Sequence, residues 1–587
     1  MSTQDPSDVE IAIPRPSLDS FFPESVLSSV SRLQSSTVRI GLGTLRGVIV
    51  PTVQNILGIL LFVRFSFMIG VAGVRDSTLI VIFCTMASIL TSFSLSAIMT
   101  NTSFNSDSDG AQTTIRRTLG SSLSTSISVL YYFSLLFACA LEILGAAEVL
   151  FDTLPSSLFP SSIAPYASKI ISIFLLIVLF IACFLGIEIV AALAPLILVV
   201  VLTAIGFIVH DLFTGVSPAD GFLMTNLSDN WSSSYTSTFS FFPLLALFYP
   251  LTAGMLAGSD KSDTLSEPAI SIPRGTLFSV LSTTVLYLTV LFVTGGSVDR
   301  SILTSNPLLF SSFGPFNIVA IGSVGVSLGS ALQALSGSPR IFARLCSDVD
   351  SQVLSHFRLS EGQKEPRKAL LLTAVTIFFV LLAGKVDVVA PIVTLCYLLY
   401  CGSINLSTFV LHVLHLPSFR PSFKYSSWIT SLAGSIMTMT LMFLVSPLAT
   451  AVVLFVLVVL MLYLKTAKNI DQWSDSGFKL LTLQFAHSIL LKTNALMSHH
   501  NLTKITPLSQ VWRPDIITFL DFDEETVSSA IEYNGLISFL SHTSKGRGFT
   551  TIMALVKEGI SLEKRWLWLI YSVKSSNETT SKPLLKS

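Results

Sequence analysis

Residues 54–64, QNILGILLFVR, lie inside an apolar run, 47–74, that is long enough to cross a bilayer as an α-helix. The stretch nevertheless begins with two amide side chains, contains the helix-weakening Gly58 and ends on the charged Arg64. Polar groups inside a membrane span are costly and are usually kept for a function. These residues therefore predict a transmembrane helix that is interrupted near its middle.

The composition of the whole chain indicates a polytopic α-helical membrane protein. Apolar residues make up 51% of the 587 positions, and only 12% are charged, against about 25% in ordinary soluble domains. The formal net charge of +0 argues against a nucleic-acid partner. The six cysteines lie in or beside apolar runs without CxxC spacing, so neither a disulfide framework nor a metal site is predicted.

Hydropathy over windows of about 19 residues predicts twelve transmembrane helices between residues 47 and 465. The fourth and fifth are separated only by dividing one long apolar tract at residues 186–188. The predicted spans cover 48–74, 77–100, 121–151, 168–186, 189–210, 239–258, 275–295, 316–337, 369–384, 389–414, 428–446 and 448–465.

The charges of the predicted loops indicate the orientation. Twelve Lys and Arg residues fall in the short loops on one side of the membrane and four on the other. The positive-inside rule therefore places both termini in the cytosol. The predicted outer loop, 211–238, carries two sequons, and Asn226 and Asn230 are candidate glycosylation sites if the chain passes through a secretory pathway.

The two ends of the chain have soluble patterning. Residues 1–46 are rich in Ser, Pro and acids without helical periodicity, which predicts a disordered cytosolic segment. Residues 466–587 predict a short cytosolic α/β domain that ends in a polar tail. Within it, 515–522 and 549–556 read as strands around a helix near 533–543.

A second interruption is predicted in the sixth span, where residues 248–258 read FYPLTAGMLAG. Pro250 removes a backbone donor, while Gly254 and Gly258 lower the cost of leaving helical geometry. The first and sixth spans begin successive sets of five helices, and interrupted spans at matching positions point to the binding site of an inverted-repeat transporter. An interruption frees carbonyls for a cation and N–H groups for an anion.

Several motifs resemble the cation–chloride cotransporter family, including its divergent orphan branch, within the amino acid–polyamine–organocation superfamily. The resemblance implies an all-α membrane fold with twelve transmembrane helices in a LeuT-like 5+5 inverted repeat. It covers about residues 47–525, and the motifs that carry it, besides the opening stretch, are ILGAAEVL (143–150), YPLTAGMLAGSDKS (249–262), SIPRGTL (271–277), LQALSGSPRIF (332–342), VVAPIVTLCYLLY (388–400), LMFLVSPLAT (441–450) and VWRPDIITFLD (511–521).

The resemblance implies a potassium site with two altered ligands. A family tyrosine in the third span corresponds to Glu142, and a family threonine corresponds to Ala253, one residue after Thr252. Glu142 either coordinates a cation, couples transport to protons by titrating, or is a protonated acid bonded to a neighbouring helix. The cation-binding residues predicted in this way are Asn55, Ile56, Glu142, Pro250 and Thr252.

Two chloride positions are implied in the same way. The first uses the amides of Gly58 and Ile59, and the second uses Gly254 and Met255 together with a tyrosine of the tenth span. The tyrosine position is occupied by Cys401, with Tyr400 next to it, so the second chloride site is left open.

Two further family features have partial counterparts. Arg64 and Glu148 match an ion pair that closes the outer vestibule. A pair of serines that supports sodium dependence reads Gly329–Ser330, so Ser330 is a possible remnant of a sodium site. The loss of one oxygen ligand disfavours a small, hard cation.

These observations predict a cation–chloride symporter that works by alternating access, with potassium as the default cation and ammonium or proton coupling as further options. Two alternatives remain: an amino acid or polyamine carrier of the same fold, and a non-transporting membrane protein that regulates other cotransporters. No enzyme activity and no cofactor are predicted. The resemblance implies a homodimer, and the chain is expected in the plasma membrane or a vacuolar or lysosomal type of membrane.

Overall fold

A computed structural model describes residues 42–101, 110–154, 166–236, 239–348, 352–358, 366–414, 419–467, 516–522 and 550–556. Eleven helices within these ranges are long and apolar enough to cross a membrane. The chain divides into two compact units, residues 1–480 and 481–587. The prediction of an integral membrane protein built from α-helices is confirmed.

The helices follow the predicted order, and we number the spans by that prediction. The first span consists of a π-helical turn, Leu45–Ile49, the helices Val50–Ile56 and Leu60–Val63, and the part of Phe65–Met99 that precedes its kink at Gly73. The second lies in Phe65–Met99, followed by Ser121–Thr153, Ala167–Leu185, Ile187–Thr214, Phe241–Thr252 with the 3-10 helix Ala253–Gly258, Pro268–Ser297, Ile318–Asp348, Arg367–Ala383, Val386–Leu414, Trp428–Val445 and Pro447–Ala467.

The ninth predicted span corresponds to Arg367–Ala383, which has 17 residues. At about 1.5 Å per residue it is roughly 26 Å long, shorter than the hydrocarbon core of about 30 Å. Twelve spans therefore remain a prediction, while eleven satisfy length and hydropathy.

Two span boundaries depend on glycine. The helix Phe65–Met99 is kinked at Gly73, whose φ of 70° places it in the region that favours glycine. The kink lies where the first and second spans were predicted to meet. Gly186 separates the fourth helix from the fifth, as the sequence predicted.

Burial separates the central spans from the peripheral ones. In the first, third, sixth and tenth spans about four-fifths of the most apolar window is buried, whereas in the twelfth span the share is 17%. The first span contacts the sixth at their interruptions, and the third packs against the eighth. Contact between spans in matching positions is what a 5+5 inverted repeat predicts.

Two predictions about the ends of the central unit need correction. The described residues begin with Leu42, whose N–H donates to the Thr264 carbonyl at 2.9 Å, so residues 42–46 belong to the folded unit and not to a disordered segment. Glycosylation at Asn230 conflicts with the fold, because its Nδ2 is buried and donates to the carbonyls of Gly295 and Val298 at 2.8 Å. The side chain of Asn226 is buried as well.

The second unit contains both predicted strands. Ile516–Phe522 and Thr550–Val556 pair in parallel, with Ile516 opposite Thr550. Parallel pairing requires a crossover connection between the strands. The helix predicted at 533–543 lies outside the described residues.

Candidate functional site

The first span is interrupted where the sequence predicted. The helix Val50–Ile56 ends at Leu57, and regular helix resumes only with Leu60–Val63. Gly58 and Ile59 form the connection between these two helices. A break of this kind is tolerated at membrane depth only where it is enclosed by protein, and both residues are fully or almost fully buried.

The sixth span differs from its prediction at Pro250. The α-helix continues through Pro250 to Thr252 and then tightens into the 3-10 helix Ala253–Gly258 instead of opening. Pro250 has no N–H for the carbonyl four residues earlier, at Ala246. The hydroxyl of Thr394 donates to that carbonyl at 2.7 Å, so the helix tolerates the proline.

The two interruptions meet at Gly254. A Cβ added to this glycine would lie 2.6 Å from the backbone carbon of Asn55 and 2.7 Å from the backbone nitrogen of Ile56. Only a residue without a side chain allows this approach. The sixth span therefore supports the break of the first span directly.

A cavity of about 30 Å³ lies beside this contact. This volume is large enough to hold a water molecule. Five predicted site residues from four spans line it, namely Asn55, Glu142, Pro250, Gly254 and Ser330. The hydroxyl of Ser330 donates to Asn55 Oδ1 at 2.7 Å, so Ser330 belongs to this cavity, and its role as a remnant of a sodium site stays a prediction.

Two predicted cation ligands are engaged elsewhere. The Ile56 carbonyl accepts a hydrogen bond of 2.5 Å from the Tyr287 hydroxyl of the seventh span. The Thr252 hydroxyl donates to the Tyr249 carbonyl of its own helix at 2.9 Å. Neither Ile56 nor Thr252 lines the cavity, whereas Asn55, Glu142 and Ser330, which carry side-chain oxygens, do.

The Glu142 carboxylate lies on the interruption of the first span. Its Oε2 accepts a hydrogen bond from the Ile59 N–H at 3.0 Å. Its Oε1 lies 2.3 Å from the place where a Cβ of Gly58 would stand, so the absence of a side chain at Gly58 makes room for it. The backbone carbonyl of Glu142 accepts from the Ser327 hydroxyl of the eighth span. Glu142 thus occupies the Ile59 N–H, one of the two amides that were predicted to bind the first chloride.

The second chloride position is rearranged around the tenth span. Tyr397, which the sequence analysis did not single out, lines the central cavity. Tyr400 stacks on Tyr131 of the third span with ring centroids 3.7 Å apart, and Cys401 is fully buried. Met255 is also buried and its sulfur accepts from the Ser92 hydroxyl. Helical spacing of three residues from Tyr400 would have pointed to Tyr397.

Gly329 stands where the related family has the other serine of the pair, and a side chain of the first span lies next to it. The Gln54 Nε2 lies 3.4 Å from the place where a Cβ of Gly329 would stand, and it donates to the Ala194 carbonyl of the fifth span at 2.7 Å. The amide N–H donor of Gln54 therefore lies beside Gly329, the position at which a second hydroxyl group would have coordinated sodium.

Arg64 joins three spans at one end of the site. Its guanidinium binds Glu148 of the third span, with Nη1–Oε1 at 3.2 Å and Nη2–Oε2 at 3.3 Å. Its Nε also binds Asp387 Oδ1 of the tenth span at 2.9 Å. The sequence did not predict Asp387 as a partner of Arg64. An acid in the first turn of an apolar helix, at the same end of the spans as Arg64, could have indicated it. Along the third span, Glu148 lies about 9 Å from Glu142.

A larger cavity of about 290 Å³ lies beside the loop that follows the sixth span. Its central contact is a hydrogen bond of 2.6 Å from the Tyr131 hydroxyl to Asp260 Oδ2. Burial raises the pKa of Asp260 to about 6, although Tyr131 and the charges of Arg344 and Lys261 act in the opposite direction. The charged and titratable groups around this carboxyl are Tyr131, Tyr397, Tyr400, Lys261, Arg344 and Arg116.

Asp260→Asn is expected to change the pH dependence of stability. A carboxyl whose pKa is raised on folding contributes stability that is present below its unfolded pKa and lost as the pH rises through the folded value. The free energy of unfolding of the wild type should therefore fall relative to that of Asp260→Asn between about pH 4 and pH 6. Thermal unfolding of both proteins in detergent across this range measures the difference, and parallel curves would contradict the prediction.

Comparisons with known proteins agree with this architecture. The profile of the amino acid permease family matches residues 47–497. Cation-chloride cotransporter 2 of Oryza sativa subsp. japonica is 32% identical over 501 residues, which cover 78% of this chain and 50% of that protein. Cation-chloride cotransporter 1 of Arabidopsis thaliana is 32% identical over 494 residues, with the same coverage.

Solute carrier family 12 member 9 of Xenopus laevis is 29% identical over 542 residues, which cover 86% of this chain and 57% of that protein. The chain thus spans about half the length of the curated relatives it matches. Among solved structures, the chain is similar to Mhp1, a nucleobase-cation-symport-1 family transporter, in a closed conformation with bromovinylhydantoin bound. The identity is 14%, the coverage is 75% of this chain and 97% of Mhp1, and the TM-score is 0.46.

Proposed function

Because this chain belongs to the amino acid permease family, with relatives named cation–chloride cotransporters, we propose that it is a symporter of a monovalent cation and chloride. The resemblance drawn from its motifs is confirmed by these relatives, which are transporters and not enzymes. The cavity between the two interrupted spans carries the proposal. It is lined by Asn55, Glu142 and Ser330, which carry side-chain oxygens, and it is large enough to hold a water molecule.

Potassium is the cation we propose first. Gln54 beside Gly329 leaves a single serine hydroxyl, Ser330, at the position related to sodium, and this disfavours a small cation that demands close coordination. Ammonium would fit a cavity lined by acceptor oxygens equally well, because it donates hydrogen bonds and carries the same single positive charge as potassium. We propose that chloride binds at the second position, near Gly254 and Met255 with Tyr397.

The mechanism we propose is alternating access in a homodimer with both termini in the cytosol. Arg64, held by Glu148 and Asp387, forms the outer gate, about 9 Å beyond the cavity along the third span. The larger cavity around Tyr131 and Asp260 is the path to the cytosolic side. The plasma membrane or a vacuolar or lysosomal type of membrane is the proposed location.

An amino acid or polyamine carrier is the second candidate, because the matching profile is named for amino acid permeases. A regulatory membrane protein without transport is the third.

Uptake into liposomes containing the purified chain separates the three candidates. Rubidium or ammonium uptake that stops when gluconate replaces chloride supports the symporter. Spermidine or amino acid uptake without a chloride requirement supports the carrier. Absence of all uptake, with the protein correctly inserted, would contradict both. Gly206→Ala serves as an active control variant, because nothing lies within 4 Å of the added methyl group.

A further inference from the structure

The Glu142 carboxylate is placed as an anion of the central site. It is buried, with 7% of the residue exposed, and it accepts a hydrogen bond from the Ile59 backbone N–H at 3.0 Å. Among the described residues, no ion pair is formed by Glu142. A buried ionised carboxylate without a basic partner is costly, so Glu142 stays ionised only while a cation in the adjoining cavity balances its charge.

The Glu142 side chain fills the space next to the interruption. Its Oε1 lies 2.3 Å from the place where a Cβ of Gly58 would stand, and its Oε2 accepts the hydrogen bond of the Ile59 N–H. A chloride ion that accepted a hydrogen bond from the Ile59 N–H would have to displace the Glu142 oxygen from that donor. The two negative charges would also repel each other strongly at this depth.

We propose that Glu142 is a tethered anion that excludes chloride from the Gly58–Ile59 amides and sets the anion dependence of this site. A monovalent cation in the cavity is then neutralised by the protein itself and not by a second transported ion. This inference deepens the proposed function and rests on it for the identity of the cation. Chloride dependence, where it exists, must come from another position.

Chloride binding to the purified full chain tests the proposal without measuring transport. Thermal unfolding is followed in sodium chloride and in sodium gluconate at equal ionic strength, since an ion that binds the folded state raises the unfolding temperature. Glu142→Ala vacates the Ile59 N–H, so its apparent affinity for chloride should exceed that of the wild type by about tenfold or more. Formate, which carries the missing carboxylate, should stabilise Glu142→Ala as well.

Glu142→Gln is the second variant, in case truncation impairs folding. It keeps the side-chain volume and an acceptor oxygen but removes the charge, so chloride affinity should rise above that of the wild type by less than in Glu142→Ala. Glu267→Gln is the matched control, because it removes one carboxylate from an exposed position at the start of the seventh span and should keep the wild-type response.

Equal chloride stabilisation of the wild type, Glu142→Ala and Glu142→Gln would overturn the tethered anion, whatever the transport assay shows. Absence of ion uptake by the wild type would overturn the proposed symport but not the competition between chloride and Glu142. The two failures are therefore distinguishable.

Discussion

Gly254→Ala is expected to abolish transport and to lower the stability of the folded protein. The new methyl group would lie 2.6–2.7 Å from three atoms of Asn55 and Ile56, two of which are backbone atoms. Overpacking of this kind typically costs about 1–3 kcal/mol. The first span must move at its interruption, and a shift of about 1 Å in a site of this kind can cost roughly a hundredfold in rate.

The measurement combines liposome uptake with thermal unfolding in detergent, and Gly206→Ala is the control. Gly58→Ala provides a sharper comparison, because its methyl group meets the Glu142 Oε1 at 2.3 Å, the movable end of a side chain. We expect Gly58→Ala to lose uptake while it keeps a near wild-type unfolding temperature. Wild-type uptake and stability in Gly254→Ala would show that the close approach is absent from the working protein.

Arg64→Gln is expected to reduce uptake by about tenfold or more, since it leaves two acids without their shared partner. Arg64 is 13% exposed, whereas Glu148 is 33% and Asp387 55% exposed. The penalty should therefore fall below the roughly 3–5 kcal/mol of a fully buried pair, at about 1–3 kcal/mol. A shift of this size changes the balance of two conformations by about 5- to 150-fold.

Neutralising Glu148 and Asp387 in the Arg64→Gln variant is the control for this prediction. The triple variant Arg64→Gln, Glu148→Gln, Asp387→Asn should recover the stability that Arg64→Gln loses, because no unpaired charge remains. A swap of Arg64 and Glu148 alone should recover less than a swap that also includes Asp387→Asn, since the new glutamate would face Asp387. If neutralising both acids leaves the unfolding temperature of Arg64→Gln unchanged, the three residues do not act as a network.

Much of the fold was readable in the sequence because a bilayer imposes simple rules. Helices of about 20 apolar residues must satisfy their own backbone hydrogen bonds, so hydropathy located the spans. The interruption at Gly58 could be predicted because two amides, a glycine and an arginine are unusual within one apolar membrane span. The parallel strands Ile516–Phe522 and Thr550–Val556 were predicted from their alternating and β-branched residues.

Residue order could not show which polar groups satisfy one another across spans. Pro250 was expected to open the sixth span, but Thr394 of the tenth span caps the carbonyl that the proline leaves free. Glu142 was assigned to a cation through its position in the third span, yet its carboxylate also accepts the Ile59 N–H that had been reserved for chloride.

The sequence by itself therefore determined the membrane topology class, the two interrupted spans and the residue types that gather around them. Tertiary structure decided which of these residues share one cavity, that Asp387 joins Arg64 and Glu148, and that the Glu142 carboxylate accepts the Ile59 N–H. The physical reason is that hydropathy and helical period act along one segment, whereas hydrogen bonds, ion pairs and steric exclusion act between segments far apart in the chain.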